Sequence, residues 1–185
     1  MRFGPGGSRS WLVAVAIGSL VVALDQLTKH WALSALADGR TIDLFWTLRF
    51  NLAFNTGTAF SLGSDLGPII ALVAAGFIVA LLASTHRVPS VPGLVGIGLV
   101  AGGAAGNLTD RAFRAGDGFF GGAVVDFIDL QWWPVFNIAD MAIVSGAALL
   151  LFATWRADEP LPSEGRSSID AQATADPAAT DESND

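Results

Sequence analysis

Cysteine is absent, which excludes disulfides, thiolate metal sites and a cysteine nucleophile while leaving the compartment open. Only two histidines occur, His30 and His86, far apart and too few for most metal sites, so each reads as a polar residue at a membrane boundary. Charge is scarce too: Asp, Glu, Lys and Arg make up 15% of the residues against roughly 25% in soluble domains, whereas 52% are hydrophobic. Lipid, not water, is the expected main solvent. No basic face interleaved with aromatics is present, so nucleic-acid binding lacks its electrostatic footprint. The formal net charge of -7 comes from residues 157–185, which hold eight acidic residues and one arginine; residues 1–156 carry nine charges of each sign.

What the chain does have is four long apolar segments. Spans are expected at 11–31, 66–83, 91–108 and 134–155. In the first, admitting Asp25, Gln26 and Lys29 near one end gives ~21 residues, about 30 Å of helix and the thickness of a bilayer core. The second and third are uncharged, and the fourth contains only Asp140, close to its start. A cleavable signal peptide is the rival reading of the first segment, but its Ala35-Leu36-Ala37 cleavage site falls beyond Asp25 and Lys29, too far from Leu24. Four spans put both termini on one side. Arg2, Arg9, His86, Arg87 and Arg156 mark that side as cytoplasmic, against Lys29, Arg40, Arg49, Arg111 and Arg114 opposite.

The outer loops, 40–62 and 112–133, carry aromatic and β-branched runs that read as short strands, including Ala123-Val124-Val125-Asp126-Phe127-Ile128. In the third span Gly98, Gly102 and Gly106 recur at four-residue steps, a stripe that lets helix backbones approach closely in lipid. Residues 157–185, rich in Pro, Ser, Thr and Asp, are expected to form a disordered cytoplasmic tail. The expected fold is an all-α membrane protein, one domain over 1–156, with strands in its outer loops.

Ionisable groups at membrane depth cost several kcal/mol each and are functional candidates by default. Four groups qualify, all towards the outer face. Asp25 and Lys29 stand at i, i+4, the favourable order for an ion pair, although a snorkelling lysine at a helix end accounts for them as simply. Asn55 and Gly57 suit a turn, and a plain surface turn is the blander account. Asp110 and Arg111 fit the exit of the third span from lipid, whereas Asn107 needs a polar partner inside the bundle. Asp126 and Asp140, near Asn137 and Ala139, are isolated acids in apolar settings; desolvation raises the pKa of such groups, and two brought together share one proton.

A shared proton supplies a chemistry. With no cysteine, few histidines and no G-x-S-x-G elbow, a hydrolase built from these parts uses a carboxylate pair on water. From residue types alone, an ion or proton relay through Asp25, Asp126 and Asp140 and a bundle without chemistry stay open, and Asp110 and Asp129 are the next acids in line for the pair.

The motifs taken together narrow this. Asp25-Gln26-Leu27-Thr28-Lys29, Asn55-Thr56-Gly57-Thr58-Ala59-Phe60-Ser61, Gly106-Asn107-Leu108-Thr109-Asp110-Arg111, Val124-Val125-Asp126-Phe127 and Phe136-Asn137-Ile138-Ala139-Asp140 occur in this order with four spans between and around them. In that respect the chain resembles the bacterial lipoprotein signal peptidases, or signal peptidase II, over roughly Trp11 to Trp155. The resemblance implies an inner-membrane aspartyl endopeptidase that cuts diacylglyceryl-modified prolipoproteins just before the lipidated cysteine, with no metal or other cofactor. It places the catalytic pair on Asp126 and Asp140 and the supporting or substrate-binding residues on Asp25, Lys29, Asn55, Gly57, Asn107, Asp110, Arg111, Asn137 and Ala139. It also implies a small extracytoplasmic β-cradle over the membrane surface and a site open to globomycin-like inhibitors. Asp110 and Arg111 are expected to bind each other and brace the pair, and Asn107 and Asn137 to orient it. Besides substrate and membrane lipid no partner is expected, and a monomer is favoured.

Overall fold

The computed structural model describes residues 10–57, 67–88, 90–114 and 120–157. The chain divides into Met1–Thr154, which holds everything described below apart from the end of the last helix, and Trp155–Asp185. The acidic tail expected over 157–185 lies outside the described residues except for Ala157, as do Arg2, Arg9 and the Thr58-Ala59-Phe60-Ser61 part of the second motif.

Seven principal elements follow in the order α1 (Ser10–Ala35), β1 (Thr41–Phe45), β2 (Leu48–Asn55), α2 (Gly67–Ser84), α3 (Val91–Phe113), β3 (Val124–Asp129) and α4 (Ile138–Ala157). All four helices are long and apolar enough to cross a membrane. They overlap the expected spans but differ at the ends, for identifiable reasons. α1 continues past Trp31 and α3 past Leu108 because Asp25, Lys29 and Asp110 are buried inside the bundle and paired there, so these charges do not end the helices. α4 begins at Ile138 instead of Pro134. Phe136 is held extended in an antiparallel bridge with Ile128, and Asn137 then starts the helix.

α3 is the central helix, with 56% of its apolar window buried against 11–22% for the others. Its glycines are the reason. A Cβ on Gly98 would lie 2.8 Å from the Ala14 carbonyl oxygen and one on Gly102 2.7 Å from Gly18 Cα, so α1 and α3 touch backbone to backbone. On the opposite side, a Cβ on Gly96 would stand 3.0 Å from the Gly146 carbonyl oxygen, and one on Gly103 would collide with the Ala139 carbonyl. Without a hydrophobic drive between helices in lipid, this close approach supplies dispersion contacts. Gly102→Val is accordingly expected to cost about 1–3 kcal/mol by overpacking, read as a lower thermal midpoint in detergent, whereas Gly76→Val, at a site with nothing within 4 Å, leaves the midpoint unchanged.

The α1–α2 and α3–α4 connections meet in one antiparallel sheet of order β1-β2-β3. The β1–β2 hairpin comes from the first connection, and β3, from the second, pairs with β2 so that Ala53 faces Asp126 and Asn55 faces Val124. The sheet rests on the end of α1. Ala32, Leu36 and Phe127 form its buried core, flanked by Ile42, Phe50, Leu52 and Ile138, and Trp31 meets the Phe50 ring edge-on at 5.2 Å. The chain thus adopts the expected helical membrane fold with a small sheet over one end.

Candidate active site

Asp126 and Asp140 are brought together by two local devices. Strand pairing with β2 sets the position of Asp126, which is 3% exposed. A reciprocal cap sets Asp140: its backbone N–H donates to Asn137 Oδ1 at 3.0 Å, and the Asn137 N–H donates to Asp140 Oδ2 at 3.1 Å. This is a capping box with aspartate in the third helical position. The Asn137 side chain also donates to Asp126 Oδ1 at 2.6 Å, so one residue touches both carboxylates. Asn107 completes the clamp by donating to Asp140 Oδ1 at 2.8 Å.

Behind the pair lies a buried charge cluster. Lys29 Nζ has three acceptors, Asp25 Oδ2 at 2.8 Å, Asp110 Oδ2 at 2.9 Å and Asn107 Oδ1 at 2.9 Å, which match the three protons of an ammonium. Lys29 and Asp25 are wholly buried and Asp110 nearly so. The remaining acceptor capacity of the two acids is also used. Asp25 Oδ1 accepts from the Ala139 N–H at 3.0 Å, which joins α1 to the first turn of α4, and Asp110 accepts from Gln26, Arg114 and the Val125 N–H. Among the described residues no buried side-chain nitrogen or oxygen lacks a partner. The chain Lys29, Asn107, Asp140 is thereby continuous, as is Asn107, Asn137, Asp126.

One expectation is corrected. Asp110 does not pair with Arg111: among the described residues its cations are Lys29 and, at 2.7 Å, Arg114. Adjacent helical residues point about 100° apart while residues four apart share a face, so Arg114 reaches Asp110 and Arg111 turns towards Asp126 and the cavity. That cavity, about 220 Å³, is lined by both carboxylates together with Asn55, Asn107, Arg111 and apolar residues of α2, α3 and α4. Gly57, at φ +83°, adopts a backbone that favours glycine, its N–H donating to Asn55 Oδ1 at 3.0 Å. A Cβ there would lie 3.4 Å from the Arg111 guanidinium.

Burial, then the charge of Asp140, pushes the Asp126 carboxyl up to about 6, with hydrogen bonds from Asn137 and Asn55 pulling the other way. Asp129, the other acid on β3, has a different setting. Burial opposes its charge, yet Arg49 at 2.8 Å, the Gln131 N–H and Asn51 hold its carboxyl below the usual range. It is engaged and unsuited to a shared proton.

Gln26, Arg114 and the Arg49–Asp129 pair are site or support residues that inspection of the sequence missed. The first two carried a signal, since Gln26 lies inside the first motif and Arg114 stands at i+4 from Asp110. The third became legible only with the β2–β3 register, which sets Arg49 opposite Asp129.

Comparisons with known proteins bear on this arrangement. A family described as signal peptidase (SPase) II matches residues 17–156. The chain is similar to a lipoprotein signal peptidase of Rhodococcus jostii (strain RHA1), 41% identical over 150 residues that cover 80% of this chain and 75% of the relative. It is also similar to one of Mycobacterium avium (strain 104), 40% identical over 138 residues covering 74% and 75%. Two solved structures, each described as a bacterial membrane enzyme studied by the in meso method, share the fold at 26% identity. One has a TM-score of 0.70 and covers 89% of this chain and 98% of its own; the other has 0.67 and covers 76% and 91%.

Proposed function

The chain belongs to the signal peptidase II family, hydrolases that remove signal peptides from prolipoproteins, and on that premise we propose that it does so as an aspartyl endopeptidase cutting before a diacylglyceryl-modified cysteine. It is a multi-pass bacterial membrane protein. The single observation that carries the aspartyl mechanism is that Asn137 holds Asp126 and Asp140 together at one cavity, in unlike surroundings.

Those surroundings divide the labour. Both oxygens of Asp140 accept hydrogen bonds, from Asn107 and from the Asn137 N–H, which suits a carboxylate. Asp126, with its raised pKa, suits the carboxyl that keeps the proton. Asp140 takes a proton from water as the oxygen attacks the scissile carbonyl carbon, and Asp126 donates its proton to the carbonyl oxygen. On collapse the C–N bond breaks, Asp140 delivers its proton to the leaving nitrogen, and Asp126 recovers its own. Arg111, lining the same cavity, is placed to bind peptide carbonyls. Asp25, Lys29 and Asp110 act behind the pair by fixing Asn107 and the start of α4. With both termini cytoplasmic, the sheet and the site face outward, where a lipid-anchored precursor diffuses past; the chain works as a monomer, and globomycin-like inhibitors occupy the same cavity.

The test uses full-length protein in detergent with a diacylglyceryl-modified precursor, followed by mass spectrometry of the products. Cleavage with the lipidated cysteine as the new N-terminus is expected, and no cleavage of the unlipidated precursor. Cutting elsewhere, or equally well without lipid, contradicts the proposal.

A pH dependence follows from the Asp126 proton. A raised pKa means that the proton is held below about 6 and lost above it, so kcat/KM, which reports the free enzyme, is expected to fall on the alkaline side of that value. Asn137→Ala removes a hydrogen bond that lowers this pKa and is expected to move the falling limb to higher pH. An unmoved limb assigns the titration to another group.

A further inference from the structure

Asp140 also lines a second cavity, of about 530 Å³, whose lining shares only Asp140 with the first. This groove is almost wholly apolar. Its floor is the outer face of α4, where Met141, Val144 and Ser145 fall at helical spacing, and its overhang is Leu130, Trp132, Trp133 and Phe136. The overhang is fixed at both ends: the Gln131 N–H donates to Asp129 Oδ1 at 2.7 Å, and Phe136 exchanges backbone hydrogen bonds with Ile128. Gln131 Nε2 also reaches the Thr47 carbonyl at 3.0 Å and ties the segment to the hairpin. Trp132 and Trp133 meet edge to face at 6.3 Å and are both exposed, at the start of a membrane helix where tryptophan favours the lipid–water boundary.

We infer that this groove receives an acyl chain of the precursor's diacylglyceryl group, so that the two cavities meeting at Asp140 divide the substrate between peptide and lipid. The inference rests on the function proposed above. In that reaction the lipid hangs from the residue next to the scissile bond, so its binding site has to open within a few bonds of the carboxylates. The smaller cavity, with Asn55, Asn107 and Arg111 in its walls, offers hydrogen bonds for a peptide backbone, whereas the groove is larger, mostly apolar and reaches Asp140. A preformed apolar slot binds an acyl chain without first having to order itself.

Val144 is 70% exposed, so a larger side chain there fills the groove without disturbing the bundle. Full-length wild-type protein, Val144→Trp and Trp133→Ala are compared on precursors carrying long and short acyl chains, with thermal midpoints confirming that each variant is folded. Wild type is expected to prefer the long-chain precursor in kcat/KM, and each variant to reduce that preference about tenfold while changing short-chain turnover little. In a second arm, a precursor with a photoreactive group midway along its acyl chain is bound to Asp126→Asn protein and irradiated. Crosslinks to the peptide containing Met141 and Val144, displaced by unlabelled precursor but not by phospholipid, are expected. An unchanged chain-length preference, equal losses on both precursors, or displacement by phospholipid instead would each overturn the groove assignment while the peptidase reading stands. Failure of wild-type protein to cut either precursor removes that reading and this one with it.

Discussion

Asp126→Asn and Asp140→Asn are each expected to reduce cleavage of a diacylglyceryl-modified precursor by about a thousandfold or more, since each removes one of the two proton transfers on which the reaction depends. Their effects on stability differ. The Asp126 carboxyl, raised to about 6 in the folded protein, has an unfolded value of about 3.9. Its contribution to stability is complete below the unfolded value and is lost as pH rises through the folded one. Asp126→Asn has no such loss and is therefore expected to be more stable than wild type above pH 6, by roughly 2–3 kcal/mol, and no more stable at pH 4. Thermal midpoints at the two pH values check this. An inactive variant that gains stability only at the higher pH separates a catalytic acid from a structural one; a variant that cuts at near wild-type rate excludes its residue from the pair.

The largest expected loss of stability belongs to Lys29→Met. The substitution keeps the apolar stem and removes the ammonium that Asp25, Asp110 and Asn107 surround, leaving two buried carboxylates with Arg114 alone among the cluster's cations. Breaking a buried ionic cluster on one side costs about 3–5 kcal/mol, because the unpaired charge stays in a poorly solvated place. Arg114→Gln, at a side chain 24% exposed, is expected to cost far less. Adding Asp25→Asn to Lys29→Met removes one of the surplus charges and is expected to recover part of the midpoint, an interaction that a double-mutant cycle measures. A Lys29→Met protein as stable as wild type would show that the lysine is not what holds these acids.

How far the site could be read in advance follows the range of each interaction. Asp25 and Lys29 were legible as a pair because helix geometry alone puts i and i+4 together. The same rule, applied to Asp110, points to Arg114, because the helical turn and not adjacency in sequence decides which side chains meet. The start of α4 departs from the hydropathy pattern for a related reason. Hydropathy sums apolar residues whether they are helical or extended, and Phe136 is apolar yet belongs to a bridge with Ile128. Lys29 with Asp110, Asn137 with Asp126 and Arg49 with Asp129 join residues from different elements, which no local pattern reports.

The amino-acid sequence by itself determined that the chain lives in lipid, how many times it can cross, where small residues permit close packing, and that carboxylates are its available hydrolytic groups. Bilayer thickness and the cost of bare charge in hydrocarbon leave few alternatives on those points. The motif resemblance singled out Asp126 and Asp140; the tertiary structure decided how they come to stand together. Asp126 comes from a strand whose position depends on pairing with a distant hairpin, and Asp140 from a helix start held by Asn137 and by Asp25 of the first span. Both positions depend on the register between separate elements, and that register is set only when the whole bundle packs.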